Sequence, residues 1–84
     1  MGLHISILKN WKEHPDWDTV RQGNDEDFYR MIGNENEFRE WYRPKDFTVI
    51  RNKIHATNWE NKDRYLKLLN ILEADKEYEV HISM

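Results

Sequence analysis

The run Lys62-Asp63-Arg64-Tyr65-Leu66-Lys67-Leu68-Leu69-Asn70-Ile71-Leu72-Glu73-Ala74-Asp75 constrains the fold more than any other stretch. Tyr65, Leu68, Leu69 and Leu72 recur at i, i+3, i+4 and i+7, which places them on one face of a helix. Leu66 and Ile71 fall on either side of that stripe, so the apolar arc exceeds the roughly 100° of a helix lying on a single surface. Such a helix must be flanked on more than one side. Past Asp75-Lys76-Glu77 the period drops to two: Tyr78, Val80 and Ile82 alternate with Glu79, His81 and Ser83, as in a half-buried strand. Burial of each large aliphatic side chain is worth about 1.5–3 kcal/mol. The helix and the strand are therefore read as core, and the rest of the chain as closing around them.

Leu3 to Leu8 alternates in the same way, with Leu3, Ile5 and Ile7 on one face and His4 and Ser6 on the other. Both ends of the chain carry His-Ile-Ser, at 4–6 and 81–83, which is too short for a repeat and is read as convergent strand patterning. If the two strands share a sheet, His4 and His81 share its polar face. The N-terminal run stops at Lys9-Asn10, too short for a signal peptide or a membrane span, which points to a cytoplasmic protein with no membrane partner. Met1-Gly2-Leu3-His4-Ile5-Ser6 matches the short N-myristoylation pattern, but a strand explains its apolar residues better.

Between the ends, Lys9 to Gly23 shows no sustained period. A connection this long without regular structure is uncommon in a small domain, and is either functional or hides an element. Asn24 is placed to cap a helix whose first turn holds Asp25, Glu26 and Asp27. Phe28, Met31 and Ile32 form its buried stripe, and Gly33-Asn34 its stop. Residues 34–43 are ambiguous: Phe38, Trp41 and Tyr42 have helical spacing, yet the aromatic segment ends at Arg43-Pro44, which favours an extended piece at 40–43, with Trp41 in the core. Pro44 suits the first position of a further helix, with Asp46 in its first turn and Phe47, Ile50 and Ile54 inward. Thr57, Asn58 and Asn61 each suit the start of the last helix. The sum is one domain over 1–84, an α+β or small α/β fold. Its two- or three-stranded sheet contains the N- and C-terminal strands and packs against about three helices.

Composition narrows the chemistry. There is no cysteine, which excludes disulfides, thiolate catalysis and sulfur-ligated zinc. The net charge is −3, and residues 13–46 hold ten acidic against five basic groups, so nucleic acid is an unfavoured partner. The run from Arg51 to Lys67 is locally basic and offers a weak alternative nucleic-acid surface. The three glycines are scattered, so no phosphate loop exists and no cofactor is expected.

His14-x-Asp16-x-Asp18 is the densest set of acid, base or ligand groups. Alternate positions on an extended segment aim side chains the same way, as a small metal-dependent hydrolase or nuclease requires. The spacing matches no specific metal motif, and a solvated acidic loop explains it equally. His4 and His81, with Ser6, Ser83 and Glu79, form a second set that a polar sheet face also explains. Trp11, Trp17, Trp41, Tyr42 and Trp59 are more aromatic bulk than a small core hides, and such side chains dominate protein interfaces. Trp11 and Trp17 are either a lid over the core or a contact surface rimmed by Glu13, Asp16 and Asp18. The expected function is a non-enzymatic protein-interaction module, such as an inhibitor or accessory factor of bacterial or phage origin. Its contact set is Trp11, Glu13, His14, Asp16, Trp17 and Asp18. The acidic loop, its aromatics and the terminal strand on each side resemble, in element order, small ribonuclease inhibitors of the barstar type.

Overall fold

The two strands predicted at the ends of the chain are the two central strands of one sheet. The computed structural model describes residues 3–19, 23–32 and 41–83. Its elements are β1 (His4–Lys9), β2 (Lys12–Glu13), α1 (Asp25–Ile32), β3 (Trp41–Tyr42), α2 (Phe47–His55), α3 (Lys62–Ala74) and β4 (Glu79–Ser83). The strands pair antiparallel in the order β2-β1-β4-β3. This is an α+β fold, with one strand more than the sequence suggests. Gly33-Asn34 and Phe38 lie outside the described residues.

Register follows from the two-residue period. Ile5 faces Ile82 and Ile7 faces Val80 across β1 and β4, and all four are buried on the helical side. His4 faces Ser83, Ser6 faces His81 and Leu8 faces Glu79 on the other side. A slip by one residue would exchange the two faces, so the apolar alternation pins the register. The four stripe residues of α3 are fully buried, and Leu66 and Ile71 pack half-buried at its flanks, as the wide arc requires. Phe28 and Ile32 of α1 and Ile50 and Ile54 of α2 complete the core, with the Phe28 ring stacked on Tyr65 at 4.7 Å.

Helix ends depart from the expected positions. Asp46 is the N-cap of α2, its carboxylate accepting from the Val49 N–H at 3.1 Å. Pro44 therefore precedes the helix instead of starting it. Thr57 closes α2 and does not open α3: its hydroxyl donates to the Ile54 carbonyl at 2.7 Å. Asn61 holds the N-cap position of α3.

The far end of α3 is held by Arg43. Its guanidinium donates to the carbonyls of Leu72, of Tyr78 at 2.9 Å and of Asp75 at 3.4 Å. The last carbonyls of a helix lack partners within it and carry partial negative charge. One fork satisfies three carbonyls around the turn into β4. Lys9 adds ion pairs to Asp75 at 3.0 Å and Glu77 at 3.3 Å. The Asp75 carboxyl lies below its ordinary range, first because it accepts from the Glu77 N–H and then because of Lys9. Its contribution is present in full above the usual carboxylate range and is lost as pH falls through the lowered folded value. Arg43→Ala is expected to lower the unfolding free energy by about 2–3 kcal/mol, read from urea midpoints. Arg43→Lys should recover only part, because an ammonium cannot span three acceptors.

The unforeseen element is β2. Asn10 and Trp11 have φ of 53° and 63°, and Lys9 pairs with Lys12 across them. A two-residue hairpin loop with both residues left-handed is a type I′ turn. Its usual second residue is glycine, which this chain lacks there. Left-handed backbone costs a side-chain-bearing residue roughly 1–2 kcal/mol, and Trp is a worse occupant than Asn. The His14 N–H continues the pairing by donating to the Ile7 carbonyl at 2.9 Å.

Candidate functional site

The three helices among the described residues pack on one face of the sheet. The outward strand positions are His4, Ser6, Leu8, Glu13, Trp41, Glu79, His81 and Ser83, read directly from the register. Period two splits Trp41 from Tyr42: Tyr42 turns toward the core and Trp41 turns out. The expected core position of Trp41 is thereby corrected, since neighbours on a strand face opposite sides and Tyr42 takes the inner one. Trp41 lies opposite His81, their rings 4.5 Å apart.

Trp11 reaches back from the strained turn to this pair. Its ring lies 5.1 Å from Trp41 at 84° and 5.8 Å from His81. These are edge-to-face contacts, which stabilise aromatic pairs by about 0.5–1.5 kcal/mol beyond burial. Even so, Trp11 remains 73% exposed. Glu13 and Glu79 stand on either side of Leu8 in the same cross-strand row. Both are exposed, and neither has an ion pair among the described residues. Among the described residues, no Lys or Arg occupies an outward strand position.

The other expected contact residues separate. Trp17 is 6% exposed, donates its indole N–H to the Ile5 carbonyl at 2.8 Å and lies under the Arg64 guanidinium at 4.0 Å. Of the two roles left open for it, lid and contact, it has the lid's. His14 accepts the Asp16 N–H on Nδ1 at 3.0 Å and packs on Tyr78 at 4.9 Å. Asp16 and Asp18 are exposed, and the Asp18 carbonyl accepts from Arg64 at 2.7 Å. Among the described residues no group of three or more His, Cys, Asp or Glu is placed to hold a metal ion. The alternation that suggested a shared direction requires a continuous strand, and β2 ends at Glu13. His4 and His81 share the outward face but are diagonal, each facing a serine.

Two further features came into view only with the fold. Asp25, 1% exposed, accepts from the Tyr65 hydroxyl at 2.7 Å and is paired to Arg64 at 3.4 Å. Asn24 donates to Asn61 at 2.7 Å beside this cluster. A shallow cleft of about 440 Å³ lies next to it, lined by Gly23, Asn24, Asn58, Trp59, Glu60 and Asn61. The cluster ties the start of α1 to the start of α3. The basic run behaves differently from a phosphate-binding face: Arg51 is paired to Glu73 at 2.9 Å, Lys62 donates to the His55 carbonyl at 3.0 Å, and Arg64 is engaged inside.

No helix among the described residues is long and apolar enough to cross a membrane. Set against protein-family models, curated proteins and solved structures, the chain matches none. The likeness to barstar-type inhibitors therefore remains one of element order.

Proposed function

We propose that the protein is a non-enzymatic, cytoplasmic protein-interaction module of the inhibitor or accessory-factor kind, binding its partner through the outward face of the sheet. The observation that carries this reading is Trp11. A bulky residue occupies a left-handed turn position where glycine would be less strained, and there it holds a largely exposed indole over Trp41 and His81. Strain of this kind persists where surrounding structure and function maintain it. Large aromatics at the centre of a patch are the residues whose truncation most weakens protein complexes. The contact set expected from the loop is thereby redrawn to Trp11, Glu13, Trp41, Glu79 and His81, with Trp17 as their interior support.

Trp11→Gly separates function from folding. Glycine relieves the turn by roughly 1–2 kcal/mol and forfeits the edge contacts, so stability should stay within about 1 kcal/mol of the parent. Partner capture from the host should be lost with the variant as bait. A variant that retains the captured partner, or that melts far below the parent, overturns the reading.

A further inference from the structure

Resting on the interaction-module reading, we propose that the outward face takes an arginine from a basic segment of a partner protein, stacked on the Trp11 indole and paired to Glu13 and Glu79. Three observations converge on that chemistry. The face offers aromatic surface, with Trp11 73% exposed and its ring seated against Trp41 and His81. It offers two exposed carboxylates in one row, Glu13 opposite Leu8 on one side and Glu79 opposite Leu8 on the other. Among the described residues, its outward strand positions hold no Lys or Arg.

Spacing allows one cation to use both features. Directly opposed residues have Cβ atoms about 4.5–5.5 Å apart, so each carboxylate lies within a side chain's length of Leu8. Glu79 and His81 are two apart on one strand, about 6.4–6.8 Å along it, which sets the carboxylate beside the aromatic cluster. A cation over an indole face is attracted by the ring quadrupole. Guanidinium fits better than ammonium, because it is planar, stacks on aromatic faces and meets carboxylates with two parallel hydrogen bonds. The same combination stands inside this protein: Arg64 lies 4.0 Å over Trp17 while paired to Asp25. The negative segment nearby, with Asp16 and Asp18 exposed, favours approach of a basic chain.

The test uses the whole chain and a short capped peptide alternating arginine with serine, with lysine and glutamate versions of it, followed by amide chemical shifts. The arginine peptide should bind saturably, shift residues of β1, β2 and β4 on the outward face, and bind more tightly than the lysine version. The glutamate version should not bind. Glu13→Gln with Glu79→Gln should weaken binding roughly tenfold or more, and Trp11→Gly by a similar factor. Asp63→Asn, an equal change of charge type on a distant helix, should leave it unchanged. No saturable binding of the arginine peptide overturns the proposal, as does equal weakening by Asp63→Asn. If the arginine peptide fails while Trp11→Gly still loses the captured host partner, the interaction module stands and only the basic-partner inference falls.

Discussion

Trp17→Ala is expected to lower the unfolding free energy by about 3–5 kcal/mol, a large share of the roughly 4–12 kcal/mol available to a domain of this length. The reason lies in β1. Ile7 and Ile5 are two apart, so their carbonyls point to the same side, and β2 is long enough to cover only the first through His14. The Trp17 indole N–H takes the second, at 2.8 Å. Truncation opens a cavity beneath Arg64 and leaves a buried carbonyl without its donor. Trp17→Phe should restore most of the volume and none of the hydrogen bond, with a residual loss of about 1–3 kcal/mol. Urea melts of both variants check this. Equal losses would show that the hydrogen bond, and not packing, carries the effect at this site.

Arg64→Ala has a comparable expected effect through a different cause. Asp25 is 1% exposed, and Arg64 is its cationic partner. Removing one member of a buried ion pair costs about 3–5 kcal/mol. Arg64 also covers Trp17 and binds the Asp18 carbonyl, so the chain between β2 and α1 should loosen as well. Asp25→Ala with Arg64→Ala should be markedly less destabilised than the two single losses added together, because the double variant buries no orphan charge. Additive losses would mean the pair is not coupled. The Tyr65 hydroxyl offers a spectroscopic reading of the same cluster. Burial, and then its bond to Asp25, holds its pKa well above the ordinary tyrosine value of 10.0. A folded pKa above the unfolded one means stability that is complete below about pH 10 and is lost as pH rises toward the folded value. One of the four tyrosines should therefore resist ionisation until the protein unfolds in alkali, as followed by tyrosinate absorbance.

The parts of the fold that sequence reasoning found are those where burial imposes a period. Leu68, Leu69 and Leu72 repeat as a helix must, and Ile5, Ile7, Val80 and Ile82 alternate as a half-buried strand must, so α3, β1 and β4 were legible. β2 was not. Two exposed residues have no period, and the turn before them uses Trp11 where the recognisable signal would be glycine. The inward place expected of Trp41 belongs to Tyr42, because a two-residue strand is too short to show in sequence which of two adjacent aromatics faces the core. The candidate face was half-visible: Trp11 and Glu13 stood out as aromatic and acidic, but Glu79 and His81 join them only through pairing across the sheet. Asp25 gave no sign of burial, since three acidic residues opening a helix read naturally as a response to its dipole. The long-range approach of Arg64 and Tyr65 helps make its interior position tolerable.

The central pairing of β1 with β4 also fixes the order in which the protein can assemble. It joins residue 4 to residue 83, so the closing loop spans nearly the whole chain, and loop closure must be met before those contacts reward it. The β1–β2 hairpin closes over two residues and α3 is local, so both can form in microseconds. The sheet itself waits for β4. Refolding should therefore be slower than for a helical bundle of equal length, with a transition state that already contains the β1–β4 contact. A chain stopped before β4 would leave β1, with its isoleucines bare, as an exposed edge.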